Sequence, residues 1–244
     1  MVLAYTHKMN ILTILMPVYN EGKGIANTIR KYHKVISSKM PCDVVICEDG
    51  STDDTKQVLL KLQQEMPIKL YLGDERKGYQ KAARDALCVA ETPLVFMVDS
   101  DGQYLPDDFL VGIKFIQDYD IVIGRRIRSK ESIHRRILRS GFNLLLRPLF
   151  HIPIHDVDCG YKIIKKEVID SVINDVTGYL PYSFNAEFMI RAFHSGFKVK
   201  EFEIKHVERE FGQTTVYPLR RIPKIVFLQL VGLVRLKIAL SKEK

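Results

Sequence analysis

Leu94-Val-Phe-Met-Val-Asp-Ser-Asp-Gly-Gln103 is the stretch on which the fold turns. Leu94 to Val98 is an unbroken apolar run, short enough for a strand and apolar enough to be covered on both faces. It ends in Asp99 and Asp101. Residues two apart on extended backbone point to the same side, so both carboxylates project together from the strand end, with the amide oxygen of Gln103 following. Hard oxygen donors of this kind suit Mg²⁺ or Mn²⁺, held partly by protein and partly by substrate phosphates.

Upstream, the same unit repeats. Ile11–Met16, Val44–Cys47 and Ile68–Leu72 read as strands, and Gly22–Ser37, Thr52–Glu65 and Gly78–Ala90 as helices. Strand and helix alternating at this spacing predict an α/β fold with a mostly parallel central sheet flanked by helices. Ligands on such sheets bind beyond the carboxyl ends of the strands. The segments there are Pro17-Val-Tyr-Asn-Glu21, Glu48-Asp-Gly-Ser-Thr-Asp-Asp-Thr55 and Asp99-Ser-Asp-Gly-Gln103, three acidic turns on one sheet edge. Asp49 stands where an acid bonds a ribose hydroxyl or base edge. Gly50 permits the tight turn, and Asp53 reads as a cap for the next helix. Glu21 either touches a nucleotide or holds its loop.

Downstream the charge changes sign. Residues 1–124 carry a net −3 and residues 125–244 a net +11. Ile121–Gly124 reads as a strand. Arg125 to Arg147 then holds eight Lys/Arg against one acid, with Leu138, Phe142, Leu145, Leu146 and Leu149 giving it an apolar helical face. Asp156–Lys162 reads as a turn, Ser183–His194 as a helix and Lys198–His206 as a strand. Pro218–Leu240 is mostly apolar but interrupted by Lys224, Gln229, Arg235 and Lys237, short of the ~18–20 uncharged residues of a membrane span. It reads as an amphipathic helix for a membrane interface or for packing in a core or oligomer.

Composition removes several classes. With 46% hydrophobic and 27% charged residues the chain is not disordered. Four scattered cysteines without a C-x-x-C pair argue against a zinc ribbon or disulfide scaffold and suit a reducing compartment. Met1–Asn10 lacks the apolar stretch of a signal peptide. Neither G-x-G-x-x-G nor G-x-x-x-x-G-K-[ST] occurs, against a dinucleotide oxidoreductase or P-loop NTPase. The seven histidines have no metal-ligand spacing, and His151, His155 and His206 read as structural or exposed.

Taken jointly, Pro17–Glu21, Glu48–Thr55 and Asp99–Gln103 resemble the family 2 glycosyltransferases of the GT-A fold. Gly124-Arg-Arg126, Asp156-x-Asp-Cys-Gly-Tyr-Lys162, Glu187 and Arg209-x-x-Gly212-x-Thr214 narrow the resemblance to the dolichyl- or polyprenyl-phosphate sugar transferases. The resemblance implies a catalytic domain over 1–215 and a basic, apolar helical segment over 216–244. It implies nucleotide-sugar contacts at Pro17, Tyr19, Glu21, Asp49, Asp99, Ser100 and Gln103, and Mg²⁺ or Mn²⁺ at Asp99, Asp101 and Gln103. Asp101, Arg126 and Arg209 are the implied catalytic residues; Arg126, Arg136, Arg139 and Ser140 are the implied acceptor-phosphate residues. The expected reaction is inverting transfer of a sugar from a nucleoside diphosphate to a polyprenyl phosphate. The expected setting is the cytoplasmic face of a membrane, held peripherally, by a membrane-protein partner or as a homo-oligomer, without nucleic acid. Departures are the missing final glycine after Asp74–Asp85 and Thr215 where a lysine is common. Two rivals stand beside this: transfer to a sugar or protein hydroxyl, with Glu187 as base, and a non-catalytic basic module for nucleic acid or membrane.

Overall fold

A computed structural model describes residues 10–127, 133–210 and 219–243. In chain order the elements are β1 (Leu12–Val18), α1 (Ile25–Ser37), β2 (Cys42–Glu48), α2 (Thr55–Glu65), β3 (Lys69–Leu72), α3 (Tyr79–Cys88) and β4 (Leu94–Met97). There follow α4 (Asp108–Gly112), β5 (Ile121–Ile127), α5 (Ile133–Phe150), β6 (Lys162–Lys165), α6 (Lys166–Val172), α7 (Phe184–His194), β7 (Val199–Lys205) and α8 (Ile222–Lys242). The strands form one sheet in the order β3-β2-β1-β4-β6-β5-β7. The β1–β2, β1–β4, β2–β3 and β5–β7 pairs are parallel, and β6 runs antiparallel between β4 and β5.

The chain steps outward from β1 to β3, then returns to place β4 on β1's other side. The strand order therefore reverses between β1 and β4, and a crevice opens there beyond the carboxyl ends. β1 is buried at every position; its one polar side chain, Thr13, is satisfied by the Thr92 hydroxyl at 2.7 Å. β4 is anchored from behind by aromatic rings: Phe96 lies 4.7 Å from Tyr161, 4.9 Å from Phe109 and 5.8 Å from Tyr32, centroid to centroid. Each such ring pair adds about 0.5–1.5 kcal/mol beyond its buried area. That packing sets the height at which Asp99 and Asp101 leave the strand.

Element boundaries differ from the sequence reading for local reasons. α1 begins at Ile25, not Gly22, because Glu21–Gly24 is a turn in which the Glu21 carbonyl accepts from Gly24 N (3.0 Å) and Ile25 N (2.9 Å). α2 begins at Thr55, with Asp54 as its N-cap, since Ser51, Thr52 and Asp53 are committed to bonds with the first loop. β5 continues through Arg125 and Arg126, which are strand residues and not the start of a helix. Leu146 is fully buried, but Leu145, expected on the same apolar face, is 51% exposed. Arg221 precedes α8 in a 3₁₀ turn. Arg128, Lys130, Gly212, Thr214, Thr215 and the 215/216 boundary lie outside the described residues, as do Met1–Met9.

Candidate active site

The first two loops are laced together. Asn20 takes a left-handed conformation (φ 54°), which asparagine tolerates better than most residues. Its backbone N–H donates to Ser51 Oγ (2.9 Å) and its side-chain oxygen accepts from Thr52 N (2.8 Å). Glu21 N donates to Thr55 Oγ1 at 2.8 Å. Asp53 does meet the start of α2, accepting from Thr55 N at 3.0 Å, but its other oxygen accepts from Gly22 N at 3.2 Å. It is a clamp between loops as much as a cap.

Asp49 is held by the loop after β3. Its two carboxylate oxygens accept from Lys77 N (2.8 Å) and Gly78 N (2.9 Å). Gly50 has φ 66°, and a Cβ there would overlap the Glu75–Arg76 peptide, so the two loops touch through bare backbone. Across this junction the Arg76 guanidinium stacks 4.0 Å from the centroid of the Tyr19 ring. Tyr19 and Asp49 thus flank one loop junction, with Pro17 in β1 paired in register with Cys47.

The β4 end is the centre. Val98 N pairs with Leu15 O (3.0 Å), carrying the β1–β4 ladder to the brink of Asp99. Ser100 is buried. Asp101 Oδ1 accepts from Gln103 N (3.1 Å). The Gln103 amide donates to Val207 O (2.9 Å), and Val207 N returns a bond to Gln103 O (2.9 Å). This pairing brings the chain after β7 back over the loops and lets Arg209 form an ion pair with Glu21. Tyr79 Oη donates to Asp99 Oδ1 (3.3 Å) and accepts from Asn185 Nδ2 (3.0 Å). A Cβ at Gly160 would overlap the Asp99 carboxylate, so the Asp156–Lys162 turn presses against it.

Carboxyl groups crowd this centre. Burial raises the Asp99 carboxyl above its ordinary value, while Lys162 and Arg126 oppose the rise. Burial also lifts Glu21 to about 7; Arg209 opposes this, and Asp101, Asp53 and Asp99 reinforce it. A divalent cation relieves such repulsion, so these donors fit Mg²⁺ or Mn²⁺. Among the described residues no three Asp, Glu, His or Cys side chains are grouped to hold a metal. The remaining ligands would come from a bound diphosphate.

On the other side of the turn stands a basic cluster. Arg126 Nε and Nη2 both reach Asp156 at 2.7 Å, and Arg139 Nη1 reaches it at 3.1 Å. Burial would raise the Asp156 carboxyl, but the bonds and charge of Arg126, with Arg139, hold it below the ordinary carboxylate range. Glu201 fixes the backbone here by accepting from His155 N (2.7 Å) and Asp156 N (2.8 Å). Arg136 and Ser140 are exposed on α5 and are not joined to this cluster in the bonds of Asp156.

Three residues packed behind Asp99 carry no sequence signal beyond the turn motif: Tyr79, Lys162 and Asn185. Lys162 is 1% exposed; its ammonium donates to the Cys159 carbonyl and to Asn185 Oδ1 (2.7 Å), and burial lowers it to about 8. Glu187 is fully buried and accepts from Thr177 N (3.1 Å), Gly178 N (3.2 Å) and Leu180 N (2.9 Å). It orders the turn before α7 and is not placed as a base. His206 is structural, bridging to Tyr104 and packing edge-on against its ring.

The sequence model for glycosyl transferase family 2 matches residues 13–173, from the first residues of β1 past β6. The chain belongs to glycosyl transferase family 2. Among its relatives, a dolichyl-phosphate hexose transferase of Haloferax volcanii is 26% identical over 85% of this chain and 87% of the relative. Glycosyltransferase AglD of the same organism is 27% identical over 79% of this chain, but the match spans only 32% of AglD. Dolichyl-phosphate beta-glucosyltransferase ALG5A of Trichomonas vaginalis is 31% identical over 64% of this chain and 53% of the relative. The family's GT-A fold is also found in the solved glucosyl-3-phosphoglycerate synthase of Mycobacterium tuberculosis with Mn²⁺, UDP and phosphoglyceric acid. It aligns with a TM-score of 0.69 at 14% identity, covering 93% of this chain and 78% of the synthase.

Proposed function

We propose that this family 2 chain transfers a sugar, with inversion, from a nucleoside-diphosphate sugar to a polyprenyl phosphate. The observation that carries the reading is the pairing of opposites at the β4 end. A carboxylate edge, Asp99 and Asp101, is suited to a cation-bound leaving group; an arginine edge, Arg126 and Arg139, is suited to an attacking phosphate. The names of the dolichyl-phosphate relatives support that acceptor.

The donor nucleotide is assigned to the loop junction at Pro17, Tyr19, Glu21 and Asp49, and its diphosphate to Asp99, Ser100, Asp101, Gln103 and Arg209. A divalent cation at Asp99 and Asp101, with the Gln103 amide oxygen beside them, supplies charge neutralisation for the departing diphosphate. A phosphate oxygen of the acceptor forms the new bond to the anomeric carbon as the bond to the diphosphate breaks, and that electron pair leaves with the diphosphate. The attacking oxygen is already anionic at neutral pH, so no general base is required. This agrees with the structural setting of Glu187. Asp156 orients Arg126, whose remaining Nη1 donors are assigned to the acceptor phosphate, with Arg136, Arg139 and Ser140 along the approach.

α8 suits a peripheral position on an anionic bilayer. Gln229, Gly232, Leu233, Leu236 and Leu240 face the domain, while Val226, Phe227, Leu230, Val234 and Ile238 form an exposed stripe at helical spacing. Lys224, Arg235 and Lys242 project beside that stripe, giving the apolar-and-basic pattern of an interfacial helix. No helix among the described residues is long and apolar enough to cross a membrane. We assign this setting to a cytoplasmic membrane face, with residues 1–215 as the catalytic domain and 216–244 as the docking segment.

The test is a panel of nucleotide sugars with undecaprenyl phosphate, dolichyl phosphate and 3-phosphoglycerate in Mg²⁺ or Mn²⁺, read by mass spectrometry. The expected product is a polyprenyl phosphate bearing one hexose. Glycosylation of 3-phosphoglycerate alone would replace the acceptor assignment.

A further inference from the structure

Asp158 takes part in none of the hydrogen bonds and ion pairs of the candidate site. Among the described residues its carboxylate has no hydrogen-bond or ion-pair partner, yet neither of its oxygens is sealed from solvent. The surrounding polar groups are committed elsewhere: Asp156 to Arg126 and Arg139, Lys162 to Asn185 and the Cys159 carbonyl, Tyr79 to Asn185 and Asp99. Asp158 is therefore a half-buried carboxylate left without a donor, within the field of Asp99 and Arg126. A half-buried carboxylate without a donor costs stability, and such groups are retained at sites where a ligand supplies the donors.

Its position narrows the ligand. Asp158 stands two residues before Gly160, whose backbone abuts the Asp99 carboxylate, and two after Asp156, which grips Arg126. The charges of Arg126, Lys162, Asp156 and Asp99 all act on it, and burial raises it to about 7. It thus lies between the edge assigned to the leaving diphosphate and the edge assigned to the attacking phosphate. In a displacement with inversion, the group between the leaving and attacking oxygens is the sugar itself.

We propose that Asp158 is the sugar-contacting carboxylate of this site, accepting hydrogen bonds from hydroxyls of the transferred hexose and facing the positive charge that develops at its anomeric centre. Hydroxyl groups are the donors this carboxylate lacks. A fixed negative charge beside a carbon that becomes oxocarbenium-like is stronger in the transition state than in the ground state, which makes it useful for rate as well as for selection. The inference rests on the donor and acceptor edges assigned under the proposed function.

The experiment compares wild type with Asp158→Asn and Asp158→Ser by calorimetric titration with Mn²⁺ and no acceptor, using UDP and UDP-glucose, then GDP and GDP-mannose. The expected result is that the bare diphosphate binds all three proteins within about twofold. The affinity ratio of nucleotide sugar to diphosphate shifts about tenfold or more against the sugar in both variants. On wild type, one singly deoxygenated donor suffers the same loss, and Asp158→Asn does not weaken that donor further. An unchanged ratio, equal weakening of diphosphate and nucleotide sugar, or additive losses with every deoxygenated donor would overturn the proposal. Because no acceptor is present, a wrong acceptor assignment leaves this result standing. Failure of every nucleotide to bind wild type would instead bring down the donor reading and Asp158 with it.

Discussion

Asp156 bears two arginines in an enclosed setting, and removing one partner from such a cluster leaves like charges unneutralised. Asp156→Asn is expected to destabilise the protein by about 3 kcal/mol, lowering the melting temperature by roughly 6–12 °C for a chain of this size. The folded carboxyl of Asp156 is held below its unfolded value. Its contribution is therefore present above the unfolded value of about 3.9 and is lost as pH falls through the folded one. The melting difference between wild type and variant should accordingly be full at neutral pH and close in acid, as differential scanning fluorimetry across pH would show. Asp101→Asn addresses chemistry instead: cation-dependent transfer should fall about 100-fold or more with the melting temperature unchanged. Wild-type turnover by that variant would remove the cation from Asp101. Glu187→Gln separates the hydroxyl-acceptor rival. Weakening three bonds to the Thr177–Leu180 backbone should lower stability while leaving the shape of the pH–rate profile intact, whereas loss of a pH limb would restore Glu187 as a base.

Strands were more legible than the residues between them. The apolar runs Ile11–Met16 and Leu94–Val98 advertise burial, and the structure buries Leu12–Met16 and Val95–Val98 but leaves Ile11 exposed and Leu94 half-buried. β5 runs past the expected Ile121–Gly124: Arg125 and Arg126 look like the opening of a basic helix, but pairing with β7 keeps them extended. The same pairing puts Arg126 within reach of Asp156, thirty residues on. On α5 the expected apolar face holds at Leu146 but not at Leu145, which remains exposed. α8 was legible as two-faced but not as docked: a Cβ at Gly232 would overlap the Tyr179 carbonyl, and Gln229 Nε2 reaches Ser183 Oγ at 2.7 Å. Those contacts fix which stripe stays outside. Phe227→Asp with Val234→Asp should reduce cosedimentation with phosphatidylserine vesicles about tenfold or more, without moving the melting temperature, because both side chains are already in water. Undiminished binding would move the contact away from α8.

In the proposed reaction a single crevice draws on both electrostatic halves of the chain. The net −3 half supplies the carboxylates of the first three loops, and the net +11 half supplies Arg126, Arg139 and Arg209. That division was visible in the sequence, as were Asp99 and Asp101. Tyr79, Lys162 and Asn185 carry no such mark, because their contacts depend on α3, α7 and the turn before β6 meeting behind Asp99. No spacing rule encodes that meeting. The central claim is a divalent cation joining the β4 carboxylates to a departing nucleoside diphosphate while a lipid phosphate attacks. Its most direct measurement is transfer from the preferred nucleotide sugar to polyprenyl phosphate before and after chelation, followed by metal restoration. The account predicts abolition by EDTA and recovery with Mg²⁺ or Mn²⁺ in wild type but not in Asp101→Asn; full-rate transfer in EDTA would contradict it.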